Sequence, residues 1–148
     1  MEFGNSKAPI HISSKSMSLD YQNHSVLWIG NVHATQDNST LTSDQLRVNY
    51  FDKEFKQMKD MIADGNVRLS QGTRWTTSDH GVMDQTRRTV VLTGNPVAHD
   101  GNDQITGCKI TVYLNTNQSI VDCAHAVLFP HSDQSPAAAA TPGETAEQ

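Results

Sequence analysis

Three observations predict an all-β fold made of stacked, similar units. A Gly-Asn step recurs along the chain, at Gly30-Asn31, Gly65-Asn66 and Gly94-Asn95. Apolar and polar residues alternate on either side of these steps, as they do in half-buried strands. Short clusters of Asn, Asp, Gly, Gln and Ser interrupt the alternation, and such clusters are typical of turns. Together these observations predict an antiparallel meander of short strands.

The basic unit is 29 residues long. A polar step follows twelve residues after each Gly, and these steps are Thr42-Ser43-Asp44, Thr77-Ser78-Asp79 and Thr106-Gly107-Cys108. The first two polar steps are 35 residues apart and the last two are 29 apart, while a weaker copy, Ser13-Ser14-Lys15, lies 29 residues before the first. The 35-residue unit therefore carries a six-residue insertion. We expect the Gly of each step to mark a bulge where the sheet bends.

Apolar residues keep their place in the unit, so they should face one common interior. The matching positions hold Met17 and Leu19 in the first unit, Leu46 and Val48 in the second, and Ile110, Val112 and Leu114 in the fourth. The third unit departs from the pattern, because Gly81 and Gln85 flank Met83 there. This departure indicates either a gap in the apolar face or a polar contact.

The insertion lies around Phe51 to Asp60. Its residues Phe51, Phe55, Met58 and Ile62 have helical spacing, which leaves one or two helical turns open. We prefer an extended hairpin.

Length and charge narrow the classes of protein. With 148 residues the chain forms one domain, and 11 basic against 16 acidic residues give a net charge of −5. A nucleic-acid partner is therefore not expected, because binding phosphates requires a basic surface. The sequence contains no apolar run of about 18 residues that would span a membrane. Residues 1–7 are interpreted as an extension or cloning remnant with no signal peptide of their own, 8–130 as the folded domain, and the Ala/Pro-rich stretch 131–148 as a disordered tail.

Residue patterns that support catalysis are missing from the sequence. The seven histidines show no metal-ligand spacing, and no serine lies in a Gly-x-Ser-x-Gly elbow. We therefore predict a protein that is not an enzyme, with no cofactor and no metal. A hairpin turning at Asn115-Thr116 would place Cys108 opposite Cys123, so a cross-strand disulfide and two buried thiols both remain open.

Several segments, in order, resemble the OstA-like family of periplasmic lipopolysaccharide-transport proteins (LptA). They are Pro9-Ile10-His11-Ile12-Ser13-Ser14, Leu19-Asp20, Gly30-Asn31-Val32 with Gln36, Val90-Val91-Leu92-Thr93-Gly94-Asn95 and Lys109-Ile110-Thr111. The resemblance covers residues 8 to 129. It does not separate LptA from the related domains of the inner-membrane LptC and the outer-membrane LptD.

The resemblance implies an antiparallel β-jelly roll, V-shaped in section, whose apolar interior shields the acyl chains of lipid A. It implies a periplasmic protein that associates head to tail and bridges LptC-like and LptD-like partners, with the strands at Ile10–Ile12 and Val127–Phe129 as the ends that pair. Carried over to this chain, the residues expected to line the groove are Ile10, Ile12, Met17, Leu19, Trp28, Val48, Met83, Ile110, Val112 and Leu114.

Two further hypotheses remain. In the first, the apolar face is simply a packed core, and the chain is a structural connector that binds protein partners. A carbohydrate-binding stack would need exposed aromatic platforms, and two Trp with three Tyr supply few.

Overall fold

The computed structural model of this protein describes residues 6–130, and every regular element in that range is a β-strand. The predicted tail 131–148 and residues 1–5 of the predicted extension lie outside the described residues. The strands are β1 (His11–Ser13), β2 (Ser16–Asp20), β3 (Ser25–Gln36), β4 (Ser39–Tyr50), β5 (Met58–Gln71), β6 (Arg74–Asp84), β7 (Thr89–Thr93), β8 (Val97–Asp100), β9 (Asp103–Thr106), β10 (Lys109–Tyr113), β11 (Gln118–Asp122) and β12 (His125–Val127).

All twelve strands belong to one antiparallel sheet that is folded over on itself. The main hydrogen-bonded path is β1-β3-β4-β5-β6-β7-β10-β11, while β2 pairs with β3, β8 with β6 and β9, and β12 with β9. The four long strands β3 to β6 run through both halves of the fold, and the shorter strands extend only one half. The predicted all-β fold, an antiparallel jelly roll, is confirmed.

The fold divides into two half-sheets that share the long strands. Half-sheet I runs in the order β2, residues 25–29, 45–50, 58–64 and 80–84, β7, β10 and β11. Half-sheet II runs in the order β1, residues 32–36, 39–43, 67–71 and 74–78, β8, β9 and β12. Each half therefore has eight strand segments, and their inner faces pack against each other to give a V-shaped section.

The recurring Gly-Asn steps form the corners between the half-sheets, as predicted. The register of strand pairing shifts at Gly30-Asn31 in β3 and at Gly65-Asn66 in β5. At Gly94-Asn95 the chain leaves β7 and enters β8. Each Gly has a φ of +78° to +90° and each Asn a φ of about +50°, in the left-handed region that Gly tolerates best and Asn better than most residues.

The 29-residue period places equivalent side chains in rows that cross half-sheet I. Cross-strand pairing gives a first row of Met17, Trp28, Leu46, Ala63, Gly81, Leu92, Ile110 and Val121. A second row holds Leu19, Val26, Val48, Met61, Met83, Val90, Val112 and Ser119. The predicted common interior is therefore confirmed, because directly paired residues share a face of the sheet.

Half-sheet II supplies a matching inner row of smaller side chains. It consists of Ile12, Ala34, Leu41, Leu69, Thr76, Ala98, Ile105 and Ala126. Leu41 and Leu69 belong to the same buried cluster as Leu46 of the facing half. The core is therefore the layer between the half-sheets, and it is deepest beneath β4 to β7.

The departure at Gly81 is not a gap in the apolar face. A Cβ on Gly81 would lie 3.0 Å from Cδ2 of Leu92, so the leucine already occupies that space. Gln85 lies beyond the end of β6, where its backbone N–H donates to the carbonyl of Lys59 at 3.0 Å. Glycine in the third unit therefore makes room for the larger residue on the neighbouring strand.

The structure decides the conformation of the insertion and the state of the two cysteines, both of which the sequence left open. The insertion forms a hairpin connection: β4 and β5 pair as far as Tyr50 and Met58, and residues 51–57 form a loop between them. Cys108 and Cys123 form a disulfide with their Cα atoms 5.5 Å apart, at the hairpin register that the sequence predicted. The interpretation as two buried thiols is wrong, because both residues are exposed.

Candidate functional site

The interior between the half-sheets has an opening at the N-terminal end of the sheet. This N-terminal opening has a volume of about 340 Å³, and its lining residues are Ile10, Ile12, Met17, Trp28, Val48, Tyr50, Met58 and Met61. These side chains are apolar apart from the hydroxyl of Tyr50 and the indole N–H of Trp28. Residues of both half-sheets contribute, because Ile12 lies on β1 while Met17 lies on β2.

The centre of the interior is filled by protein. Only a cavity of about 40 Å³ remains there, and its walls include Leu41, Leu69 and Leu92. These three leucines are no more than 7% exposed. Within residues 6–130 a packed layer therefore separates the N-terminal opening from a second one, and we call it the central leucine layer (Leu41, Leu46, Leu69 and Leu92).

The second opening lies at the C-terminal end and is chemically different. The C-terminal opening has a volume of about 280 Å³. Apolar side chains such as Ile105, Ile110 and Val121 line part of it, and Arg74 and Asp103 lie at its polar edge. This arrangement can bury an apolar chain while a polar group remains near water.

Most of the predicted groove residues lie on the inner face, but they are spread over the whole interior. Ile10, Ile12, Met17, Trp28 and Val48 line the N-terminal opening. Ile110 and Val112 line the C-terminal opening, Met83 contacts the central cavity, and Leu114 is buried in the core. Leu19 is on the inner row but at the edge of the sheet, where it is 47% exposed.

Apart from Ile12 on β1, the sequence reasoning missed the contribution of half-sheet II, and it also missed that of the strand after the insertion. Leu41, Leu69 and Ile105 form much of the opposite wall, and Met58 and Met61 complete the N-terminal opening. The signal was present for all of these residues except Met61, because the others alternate with polar neighbours, whereas Met61 is followed by Ile62. It was not used because the groove residues were carried over from positions of the family resemblance.

The loop of residues 51–57 places an aromatic side chain beside the N-terminal opening. The ring of Phe55 contacts Tyr21 edge-on at 5.4 Å and Tyr50 at 5.3 Å between ring centroids. Burial, and then the charge of Asp52, raises the pKa of the Tyr50 phenol. The loop therefore packs against the edge of half-sheet I at Tyr50, one of the residues that line the N-terminal opening.

Asp52 holds the loop in shape. Its carboxylate accepts hydrogen bonds from the backbone N–H groups of Gln57 at 2.9 Å and Lys56 at 3.1 Å. The hydrogen bond from Gln57 is the largest cause of a lowered pKa at Asp52, and that from Lys56 acts in the same direction. The ionised carboxylate therefore stabilises this turn.

Both ends of the folded sheet expose strand edges and apolar side chains. At the N-terminal end, Met17 on β2 is 54% exposed. At the C-terminal end, Ile120 on β11 and Val127 on β12 are both nearly half exposed. The predicted ends at β1 and β12 are edges of half-sheet II, and β2 and β11 are the corresponding edges of half-sheet I. Within residues 6–130 there is no helix long and apolar enough to cross a membrane, and no group of three or more His, Cys, Asp or Glu placed to hold a metal ion.

The sequence matches the family described as LptA/(LptD N-terminal domain) LPS transport protein over residues 11–118. The chain belongs to this family. The match begins at β1 and ends at the start of β11, so it includes the corners and the central leucine layer. The recognition made from the recurring Gly-Asn steps and the Pro9–Ser14 segment is therefore confirmed.

Two known proteins are similar to this LptA-family chain. An uncharacterized protein of Rhizobium meliloti (strain 1021) is 26% identical over 126 residues, which cover 77% of this chain and 65% of the relative. The chain thus spans somewhat less than two thirds of that relative's length. The crystal structure of LptH, the LptA-homologous periplasmic component of the lipopolysaccharide transport device from Pseudomonas aeruginosa, matches with a TM-score of 0.73 at 16% identity and covers 84% of this chain and 97% of LptH. The second match shows a shared fold.

Proposed function

We propose that this LPS-transport family member is a periplasmic, non-enzymatic protein that binds lipopolysaccharide and shields the acyl chains of lipid A between its half-sheets. The observation that carries the proposal is the N-terminal opening, whose eight lining side chains are apolar apart from the Tyr50 hydroxyl and the Trp28 indole N–H. An opening of this kind offers no charged side chain to bind an ionic substrate, and its apolar walls suit alkyl chains. No cofactor or energy source is required of the chain itself.

The acyl chains supply most of the affinity in this proposal. Each buried CH₂ group contributes about 0.8 kcal/mol, whereas the protein's net charge of −5 works against the phosphates of lipid A. The polar edge at Arg74 and Asp103 lies at the C-terminal opening, where a headgroup can remain near water. Passage from one opening to the other requires the central leucine layer to rearrange, because its cavity of about 40 Å³ is too small for an acyl chain.

The edges of the sheet support the bridging part of the proposal. Unpaired backbone groups on an edge strand are a template for pairing with another chain. One end presents β1 and β2 and the other β11 and β12, so head-to-tail contacts between copies would extend the same folded sheet. We propose that LptC-like and LptD-like partners use the same edges at the two ends of the bridge.

Photo-crosslinking of the whole protein tests the lipid-binding step. A photoreactive residue at Met17 faces the N-terminal opening, and one at its neighbour Ser18 faces the other side of β2. We expect lipopolysaccharide adducts at Met17 and at Ile12 and none at Ser18. Equal labelling at Met17 and Ser18, or no adduct at any inward position, would contradict the proposal.

The packed centre favours a second candidate, a structural connector that binds proteins only. The central leucine layer leaves the small cavity that an ordinary core has. A photoreactive residue at Met83 separates the two functions, since Met83 lines that cavity. A lipid adduct at Met83 shows that the layer opens for lipid; adducts to protein partners with no lipid adduct at Met83, Met17 or Ile12 favour the connector.

The association step is tested by truncation. Ending the chain after Ala124 removes β12, and ending it after Pro130 keeps β12 and serves as the matched control. We expect concentration-dependent light scattering to fall only in the shorter chain. If both chains associate like the full protein, the C-terminal edge is not the joint. Circular dichroism checks that both shortened chains fold, and folding of the chain that ends after Pro130 also tests the C-terminal limit of the predicted domain 8–130.

A further inference from the structure

The disulfide occupies a corner of the repeat. In the first corner the N–H of Lys15 donates to the carbonyl of Gly30, and in the third the N–H of Asp79 donates to Gly94, both at 2.9 Å. In the last corner the N–H of Cys108 donates to the carbonyl of Asp122, also at 2.9 Å. Cys108 therefore takes the place of Lys15 and Asp79 in the unit.

Cys123 takes the place of the Asn in the Gly-Asn step. Its φ is +59°, close to the values of +48° at Asn31 and +53° at Asn95. In the second corner the equivalent residues are Asp44 and Asn66, whose side chains are joined by a hydrogen bond of 3.0 Å. At the second corner, a hydrogen bond joins the side chains of Asp44 and Asn66. At the last corner, the disulfide joins the equivalent side chains by a covalent bond.

The strands on either side of Cys123, β11 and β12, bury little surface. All three residues of β12 are exposed, and in β11 only Val121 is half-buried. Each of these strands has one partner, β10 for β11 and β9 for β12. Segments with few buried apolar contacts open at low free-energy cost, so the disulfide is a major constraint on the C-terminal edge.

We propose that Cys108–Cys123 is a thiol–disulfide exchange site that controls whether β11 and β12 stay attached to the sheet. The co-reactant is a dithiol, and both cysteines are exposed to it. One thiolate of the dithiol attacks an Sγ atom, the S–S bond breaks, and the other cysteine leaves as a thiolate. The second thiol of the reagent then resolves the mixed disulfide, so the protein gains two electrons and two protons and the reagent becomes a disulfide.

Reduction has a local consequence. The tight corner at Gly107, where a Cβ would lie 2.6 Å from Cγ1 of Val121, loses its covalent brace. Residues 118–130 then detach, while β3 to β7 keep the central leucine layer. Detachment uncovers the inner face of β10, where Ile110 and Val112 are buried in the oxidised protein. This inference does not depend on lipid transport, because it concerns the protein alone.

Amide hydrogen exchange measured by mass spectrometry tests the proposal on the full chain, with and without dithiothreitol. The disulfide closes a loop of 15 residues, so we expect amides of β11 and β12 to exchange roughly 100-fold faster after reduction. Amides of β4 and β5 should keep their rates. Unchanged rates in β11 and β12, or the same increase throughout the sheet, would overturn the proposal.

Two double variants complete the test. In Cys108→Ser/Cys123→Ser the C-terminal edge should exchange fast and ignore dithiothreitol, which controls for effects of the reagent elsewhere. In Cys108→Asp/Cys123→Asn the corner regains the Asp–Asn pair seen at Asp44 and Asn66. We expect its exchange to be slower than that of the Ser/Ser variant and equally insensitive to dithiothreitol. If the two variants exchange alike, the equivalence of the corners is wrong.

Discussion

The corner at Gly94 allows a sharp test of how the two half-sheets are joined. Gly94 has a φ of +78°, and a Cβ built on it would lie 2.5 Å from Cβ of Asp79. Gly101 is a matched control, since its φ is +62° and a Cβ there would meet nothing within 4 Å. Both substitutions therefore place an alanine in the left-handed region of the backbone. Gly94→Ala also introduces a steric clash, whereas Gly101→Ala does not.

The expected difference follows from these two terms. Holding alanine in the left-handed region costs about 1–2 kcal/mol at either position. Forcing the Cβ atoms at Gly94 and Asp79 apart adds about 1–3 kcal/mol, the usual cost of overpacking. We therefore expect Gly94→Ala to lose about 2–5 kcal/mol of unfolding free energy and Gly101→Ala about 1–2 kcal/mol.

Urea unfolding followed by circular dichroism measures both losses, with the slope of the transition checked for constancy. A double-mutant cycle then isolates the clash. Asp79→Gly removes the opposing Cβ, so Gly94→Ala should cost about 1–3 kcal/mol less in that background. Losses at Gly94 and Gly101 that agree within about 0.5 kcal/mol would refute the reasoning, because the corner would then not depend on the close approach of the two strands.

Three further predictions concern the core and the loop. Leu46 is 0% exposed, so Leu46→Ala should lower the free energy of unfolding, measured in urea, by about 3–5 kcal/mol. The outward-facing control Ile29→Ala should lower it by less than about 1 kcal/mol. Equal losses would contradict the assignment of the core. The pKa of Asp52 is lowered from 3.8, so its stabilisation of the loop is complete above that pH and is lost as the pH falls through the folded-state pKa. Amide hydrogen exchange in the loop should therefore become faster over this acidic range. Asp52→Asn should abolish that pH dependence. The raised pKa of Tyr50 predicts phenolate formation above pH 10.0, a step in the ultraviolet absorbance titration that Tyr50→Phe should remove and Asp52→Asn should move toward lower pH.

The sequence by itself determined the strands, their inward faces and the corners. Alternation is a local property with a period of two, so Val48, Val112 and the other inward residues were identifiable without knowing their partners. The Gly-Asn steps were informative for the same reason. A left-handed backbone is a local property, and glycine adopts it more readily than other residues do. Even the register of the last hairpin followed from its turn, and it placed Cys108 opposite Cys123.

Only the tertiary structure decided what fills the interior. Whether Leu41 and Leu69 meet Leu46 and Leu92 depends on how sharply the sheet folds at its corners, and no spacing in the sequence specifies that angle. Most of the residues predicted to line one groove therefore lie at two openings on either side of a packed layer. Gly81 appeared in the sequence as a break in the apolar face, yet Leu92 of the neighbouring strand occupies its space. Packing across a sheet is set by residues far apart in the chain, and this is why it appears only in three dimensions.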